Sequence, residues 1–381
     1  MAAQVQQSSN YIVLLDAHKK RVDSVAKQHA EKYQLKVGFV YRHALRGYSA
    51  RIPKQKVDEV RSDPEVASVR KDRKVSAKAQ TLPTGVNRVE GDLSTTISGN
   101  GSGSVDVDVA VIDTGIDIDH PDLNVVGGKN CSTGDSYDDG SGHGTHVAGV
   151  IAAKDNADGV VGVAPGARLW AVRVLNNSGS GTEASILCGI DWVTANASTI
   201  EVANMSLGSN GTEPPGAGCA TGDAFHDAIC NSVAAGVTYV VAAGNSATDV
   251  RRHVPAAFDE VISVSALADF DGLPGGLGQP TCRSDQDDTM ASFSNYGADI
   301  DLIAPGVCIY STYKDGGYRT LNGTSMAAPH VAGAAALYKS ANPAIGPSGV
   351  AATLKEKGVL DWDATDDPDS TQEKLLSVRL F

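Results

Sequence analysis

The first seventy residues mix short apolar runs with helical spacing. An apolar run at 11–15 reads as a strand, and Val22, Val25, Ala26 and His29 mark one face of a helix over 20–33. Runs at 39–41 and 48–52 flank a turn at Arg46-Gly47. Pro53 then precedes a second helix at 55–62, and 66–70 supplies a last strand. Residues 71–78 are polar and extended, without core-forming periodicity. The glycine-serine stretch 99–104 reads as a flexible lead-in, after which the pattern changes. Short β-branched-rich runs at 105–112, 169–174, 202–205, 238–242 and 261–266 read as buried strands. Helical stretches at 143–153, 184–195, 223–235 and 325–340 lie between or after them.

The first order, strand-helix-strand-strand-helix-strand, is that of the split βαβ, ferredoxin-like α+β unit. The second predicts an α/β domain, a doubly wound, mostly parallel sheet with helices on both faces. We therefore expect a small domain over 1–78 and a large one over 79–381. The latter ends in an acidic tail around Asp366-Asp367-Pro368-Asp369 to which the sequence assigns no role.

Charge divides at the same place. Residues 1–78 carry 17 basic and 8 acidic side chains, a balance of +9, whereas the other 15 and 37 leave −22 in a total of −13. A basic segment joined to an acidic body suggests that the two dock, and the acidic body argues against nucleic acid as a partner. No apolar run reaches the roughly 18 residues of a membrane span, so no membrane partner is expected. The start, Met1-Ala2-Ala3-Gln4, has no basic segment followed by an apolar core, so either the protein stays inside the cell or a signal for export lies outside this sequence. The six cysteines form no Cys-x-x-Cys pair, and their even number favours an exported, disulfide-bonded protein. Fifteen pairings are open to six thiols. Cys219 and Cys230, on either side of a short glycine-containing loop, are the first candidates, and Cys282 with Cys308 the next, which leaves Cys131 with Cys188.

Three motifs carry candidate chemistry. Asp113-Thr114-Gly115 ends an apolar strand; Gly142-His143-Gly144-Thr145-His146 opens a helix; Gly323-Thr324-Ser325-Met326-Ala327-Ala328-Pro329 opens another. Asp-Thr-Gly also marks aspartic proteases, but those share a site between two such motifs, and this chain has one. His143 and His146, three apart and without a nearby Glu or Cys, are a weak zinc signal. A serine hydroxyl is a poor nucleophile at neutral pH and needs a base within hydrogen-bond reach. His143 fits as that base, with Asp113 orienting the imidazole and stabilising its charged form. Ser325 at a helix start has its own N–H and the positive helix end facing the site. Pro329 lies early enough in the helix for its missing N–H to cost little.

Together these motifs resemble those of the subtilisin family of serine proteases, from about residue 79 to 357, and residues 10–78 resemble the family's propeptide. The resemblance implies a subtilisin-like fold and a monomeric serine endopeptidase that acts on protein and peptide substrates. It implies a catalytic Asp113, His143 and Ser325, with the Asn245 side-chain amide as an oxyanion donor beside the Ser325 N–H. Ala243 and Gly244 precede Asn245 in that segment. Ser178-Gly179-Ser180-Gly181 and Ser206-Leu207-Gly208 match the two segments that pair with substrate backbone, where small residues let an extended peptide add as a strand. Such binding reads backbone more than side chains, so specificity should be broad. No acidic residue falls in the segments matched to the primary pocket, and Arg251, Arg252 and His253 fall near its wall. A binding protein without activity on the same scaffold is the alternative, against which the complete set of catalytic and oxyanion residues argues.

The same resemblance implies calcium. Asp122, Asn156, the carbonyls of Lys154, Asp158 and Val160 and the Gln80 side chain would form one site, with Lys154 standing where the family has an apolar residue. Asp301 with the carbonyls of Asp259 and Val261 would form a second, weaker one. Ala79-Gln80-Thr81-Leu82-Pro83 looks like a mature N-terminus, which puts the processing bond at Lys78–Ala79. Residues 1–78 would then be the protein's own inhibitory propeptide, and Gln80 would reach its calcium only after the cut.

Overall fold

The computed structural model describes residues 8–16, 21–72, 80–214, 218–369 and 371–381. It divides into two compact units, residues 1–77 and 78–381. The expected processing bond, Lys78–Ala79, lies outside the described residues.

In the first unit the elements are β1 (Ser8–Leu15), α1 (Val22–Tyr33), β2 (Lys36–Tyr41), β3 (Gly47–Pro53), α2 (Val57–Arg61) and β4 (Val66–Lys71). The sheet runs β2-β3-β1-β4 with every neighbouring pair antiparallel, the ferredoxin-like arrangement. Helix α1 buries Val22, Val25, Ala26, His29 and Tyr33, the face its spacing predicts. They pack with Val13, Tyr48, Ala50 and Ile52 of β1 and β3. His29 is the one polar member of that face, and its Nδ1 lies 2.8 Å from the Tyr48 hydroxyl.

The second unit begins with α3 (Thr84–Arg88), β5 (Asp108–Asp113), β6 (Val125–Asn130), α4 (His143–Ala152), β7 (Arg168–Arg173), α5 (Glu183–Ala195) and β8 (Val202–Met205). It continues through β9 (Ser209–Asn210), α6 (Ala224–Ala234), β10 (Thr238–Ala242), β11 (His253–Val254), β12 (Ile262–Ala268) and β13 (Thr289–Met290). β14 (Leu302–Pro305), β15 (Ile309–Tyr313), β16 (Gly317–Leu321), α7 (Thr324–Ala341) and α8 (Pro347–Lys357) complete it. The main sheet has the order β13-β12-β10-β8-β5-β7-β6, with β14 also paired to β12. All of its pairs are parallel except β12 with β13.

Such a sheet is covered on both faces, and its strands show it. Val109 and Val111 of β5 join the core that contains α4 and α7, whereas Ala110 and Ile112 join the core under α5 and α6. Val240 and Ala242 of β10 divide from Tyr239 and Val241 in the same way. Helix α7, buried over most of its length, is apolar on nearly every side because it lies under the sheet's centre. From β5 the chain goes outward through β6 and β7, then returns to the other side of β5 through β8, β10 and β12. This reversal leaves a crevice beyond the carboxyl ends of β5 and β8, where open parallel sheets bind ligands.

Residues 99–104 differ from the expected flexible lead-in. The amides of Gly99 and Gly103 donate to Asp155 Oδ2 (both 3.1 Å) and that of Gly101 to Oδ1 (2.8 Å), so one buried carboxylate fastens the turn. The three disulfides are Cys131–Cys188, Cys219–Cys230 and Cys282–Cys308.

Cys131–Cys188 closes a loop of 57 residues and Cys219–Cys230 one of 11. Chain entropy then gives the first an advantage of about 1.5 kcal/mol. Replacing Cys131 and Cys188 by Ser should lower the urea midpoint of a Ser325→Ala chain more than replacing Cys219 and Cys230. Equal midpoints for the two double variants would show that loop length does not set their contribution.

Candidate active site

The crevice brings Asp113 and His143 together, and Ser325 lines a cavity that adjoins the groove at His143. Asp113, the last residue of β5, is fully buried. Its Oδ1 accepts the Thr114 amide at 2.7 Å and lies 2.7 Å from His143 Nδ1. That bond fixes the proton on Nδ1 and leaves Nε2 as the basic nitrogen. Gly144 is what lets the ring come so close, because a Cβ there would overlap the Gly115 carbonyl and press on Asp113. Burial of the ring opposes the imidazolium, but the charge and hydrogen bond of Asp113 outweigh it and hold the His143 pKa above its ordinary 6.5. The imidazole is 29% exposed and lines a groove of about 920 Å³.

The start of α4 is held by a residue the motifs did not reveal. Asp139 Oδ1 accepts the amides of Ser141 and Gly142 (both 2.8 Å) and the Thr114 hydroxyl (2.9 Å). Its Oδ2 accepts both the amide (3.0 Å) and the hydroxyl (2.6 Å) of Thr145. A carboxylate at the helix start also suits the positive end of its dipole. Its sequence signal was slight, an Asp four residues before His143. His146, by contrast, is a core residue. Its Nε2 sits 3.0 Å from the carbonyls of Ile309 and Arg319, and burial drives its pKa down to about 3. The two histidines of one helix therefore do not form a metal pair.

Ser325 is the second residue of α7, so its amide has no partner within the helix. Its hydroxyl donates to the Ser206 carbonyl at 3.2 Å, and the Ser206 hydroxyl donates to the Ser325 carbonyl at 2.8 Å. Pro329 explains the second bond. As the sixth helical residue it lies beyond the first turn, and its missing N–H frees the Ser325 carbonyl for Ser206. Its effect is thus greater than its place in the sequence suggests.

Asn245 follows β10. Its Oδ1 accepts the amide (2.8 Å) and hydroxyl (3.1 Å) of Thr324, so the Nδ2 amide is directed elsewhere, and among the described residues it has no acceptor. The buried Asn295 holds this turn: its Nδ2 donates to the Ala243 carbonyl (2.7 Å) and its Oδ1 accepts the Ser246 amide (3.0 Å). The Gly244 amide donates to the Thr324 hydroxyl at 3.0 Å. Asn295 acts mainly on backbone groups and left no recognisable spacing, whereas Thr324 lies within the serine motif.

Two segments border the groove. Ser178, Gly179, Ser180 and Gly181 form a turn after β7 that Asn176 organises, accepting the amides of Ser178 (2.9 Å) and Ser180 (3.2 Å). Ser206, Leu207 and Gly208 follow β8 on the other side. An adjoining cavity of about 260 Å³ is lined by Ser206–Asn210, Ala242–Ser246, His253, Val254, Ala256, Thr324 and Ser325, none of them acidic. His253 reaches it and bonds the Thr248 hydroxyl at 2.9 Å. Arg251 and Arg252 do not: they line another surface cavity with Glu213, Asp249 and Asp299, and Arg251 Nε donates to Asp249 at 3.0 Å.

The expected calcium ligands also converge. Gln80 Nε2 donates to the carbonyls of Lys154 (2.7 Å) and Val160 (3.2 Å), while its Oε1 is buried without a partner. A half-turn of the amide would set Oε1 beside those two carbonyls, a group of oxygens that a hard cation stabilises. Asp122 accepts the Val160 amide at 3.0 Å and the Asn156 side-chain amide at 3.3 Å, and burial raises its pKa. Asn156 Oδ1 accepts the Asp158 amide at 3.0 Å. The Lys154 ammonium turns away to the Pro121 carbonyl (3.0 Å), which leaves only its own carbonyl facing the cluster. These residues fit calcium. Gln80 is in place in the uncut chain, contrary to the expectation that it arrives only after cleavage. The second expected site differs: Asp301 Oδ1 pairs with the Lys355 ammonium (2.7 Å) and Oδ2 accepts the Ser263 amide (2.9 Å). An ammonium thus neutralises the carboxylate that was to join Asp259 and Val261.

Comparison with known proteins agrees with this geometry. Residues 104–374 match the Subtilase family and residues 10–78 match Peptidase inhibitor I9. Subtilisin DY of Bacillus licheniformis is 44% identical over 276 residues, 71% of this chain and 89% of that protein. Subtilisin Savinase of Lederbergia lenta is 45% identical over 266 residues, 70% and 87% of the two chains. A cold adapted subtilisin-like serine proteinase of known structure superposes with a TM-score of 0.62 at 33% identity, over 78% of this chain and 98% of the other. With its sheet, crevice and N-terminal inhibitor-type domain, the chain belongs to the subtilase family and is a serine endopeptidase with a propeptide.

Proposed function

We propose that the chain is a secreted, self-processing zymogen whose catalytic unit cleaves proteins with broad specificity through Asp113, His143 and Ser325. The observation that carries the reading is the buried Asp113–His143 bond at the sheet's switch point, with Ser325 at a helix start on the adjoining cavity. Substrate enters as an extended strand between Ser178–Gly181 and Ser206–Gly208. His143 takes the Ser325 proton as Oγ attacks the scissile carbonyl, and returns it to the leaving amine. The acyl-enzyme that results is released by water, activated by the same histidine. Asn245 Nδ2 and the Ser325 amide donate to the oxyanion. Small residues and the lack of acid in the 260 Å³ cavity favour apolar or small side chains next to the cut bond.

Residues 1–78 are read as the inhibitory propeptide, released at Lys78–Ala79. The I9 match and the charge contrast between the two parts of the chain support this. Three disulfides support secretion, and the catalytic unit works as a monomer. Calcium held by Gln80, Asp122 and Asn156 side chains and the carbonyls of Lys154, Asp158 and Val160 supplies stability, not chemistry.

Ser325→Ala should abolish peptide hydrolysis and leave a single uncut chain, as read by electrophoresis and N-terminal sequencing. Asn245→Ala should lower kcat by about a hundredfold or more with little change in KM, since an oxyanion donor acts in the transition state. Maturation of purified Ser325→Ala at the normal rate would refute the nucleophile.

The base form of His143 is the neutral one, so activity should rise with pH through its raised pKa. The acid limb of kcat/KM should have its midpoint above 6.5, and Asp113→Asn should lower both the midpoint and kcat. An unchanged midpoint in that variant would separate Asp113 from His143.

Chelation should speed heat inactivation of the mature enzyme. A ligand at a hundredfold excess over its dissociation constant stabilises the native state by about 2.7 kcal/mol. Asp122→Asn should weaken the calcium dependence of the inactivation rate; an unaltered calcium response would remove Asp122 from the ligands.

A further inference from the structure

Residues 269–288 form a long loop between β12 and β13 that contains Asp269, Asp271, Asp287 and Asp288. Carboxylate oxygens of Asp269, Asp271 and Asp287 lie within 4.8 Å of one another. Asp269 is 1% exposed and Asp287 2%, whereas Asp271 is exposed and opens the cluster to solvent.

Most of these oxygens are positioned by backbone amides. Asp287 Oδ1 accepts Phe270 N and Oδ2 accepts Gly278 N, both at 2.7 Å. Gly278 must be glycine, because a Cβ there would press on the Asp287 carboxylate. Asp269 Oδ1 accepts Gly272 N at 2.8 Å. Asp269 Oδ2 is different: it is buried and accepts no hydrogen bond. The nearest cation is the Arg88 guanidinium, 3.4 Å away. Its Nε hydrogen is directed to Asp288 (2.8 Å) and its Nη2 to the Asp361 carbonyl (3.0 Å). One buried guanidinium therefore serves Asp269, Asp288 and Asp361 together. An ionised carboxylate taken out of water without a partner costs several kcal/mol.

We propose that Asp269, Asp271 and Asp287 bind a calcium ion of their own, separate from the one at Asp122. Each carboxylate oxygen has a lone pair left after its hydrogen bond, and Asp269 Oδ2 has all of its accepting capacity. The donor set is entirely oxygen and carries three negative charges. That suits calcium, which takes six to eight oxygens, rather than zinc, which prefers nitrogen or sulfur. The ion would neutralise the excess buried charge that Arg88 alone does not.

The test uses the full chain with Ser325→Ala, which removes autolysis and needs no activity readout. Calcium chloride or chelator is added to this parent and to its Asp269→Asn, Asp271→Asn and Asp122→Asn derivatives. Hydrogen exchange in peptides spanning 269–288, thermal midpoints and bound calcium per chain are measured. Calcium should slow exchange of this loop in the parent and in Asp122→Asn, but not in the Asp269 or Asp271 variants, each of which should bind one ion fewer. In chelator, Asp269→Asn should melt at or above the parent, because it removes an uncompensated charge; in calcium it should melt below. A loop whose exchange ignores calcium would overturn the proposal. So would an Asp269→Asn chain that loses the same stability with and without the ion. Should Asp269→Asn not fold, the exposed Asp271→Asn gives the same reading.

Discussion

Burying Asp113 at the end of a strand removes a carboxylate from water, and the structure around it is arranged to compensate. One oxygen is shared by the Thr114 amide and the His143 ring, and the Thr114 side chain continues the chain of bonds to Asp139. Asp139 in turn gathers the amides that open α4, the helix whose first residue is His143. The imidazole is thus located from both ends, by its own bond to Asp113 and by the helix start that Asp139 fixes. Neither carboxylate would be tolerable there without the donors supplied by the turns that follow β5 and precede α4.

Ser325 is located by a different device. Helix α7 passes beneath the sheet, packed among β10, β12 and β14, and cannot shift without disturbing that core. Its start is tied to the ends of two strands. Ser206 after β8 takes the carbonyl that Pro329 releases, and Asn245 after β10 takes the Thr324 amide. The strand ends that would grip substrate and oxyanion are therefore the same ones that hold Ser325. Parallel pairing of β5, β8 and β10 sets their relative height, so the site follows from sheet register.

Much of this was legible in the sequence, for a physical reason. The run Val109-Ala110-Val111-Ile112 is apolar throughout because β5 is buried on both faces, and the motif at its end is local. Strand β6 was missed because it contains Gly127 and Gly128. A Cβ at Gly127 would strike the Trp170 ring and one at Gly128 the Ala171 carbonyl, so close packing itself erased the apolar signal. Strand β14 is short and α8 buries only Val350 and Leu354, too few for a clear period. The glycine-serine stretch at 99–104 looked unconstrained because its anchor, Asp155, lies far along the chain. Asp139 and Asn295 escaped for the related reason that they bond mainly backbone groups, which any sequence supplies. The displacement of a second calcium by Lys355 could not be read either, since that lysine meets Asp301 only through the fold.

The acidic excess of the large unit acquires a structural sense from these contrasts. Asp139 and Asp113 Oδ1 are held by amides, two hydroxyls and an imidazole, all supplied by the chain itself, although Asp113 Oδ2 is buried without a partner. Asp122 has only a few neutral donors, and the 269–288 cluster has a single guanidinium for several carboxylates. The second kind of acid would gain most from a bound cation, and under the calcium proposals cation concentration becomes a condition of local order. In the 269–288 loop that condition lies close to the nucleophile. Cys282 joins the loop to Cys308, whose amide donates to Asn322 at 2.7 Å, and the Gly323 amide bonds the Gly306 carbonyl at 2.8 Å. Gly323 is two residues from Ser325. A loop held in shape by its charges is thus joined, through one disulfide and two hydrogen bonds, to the turn that presents the serine.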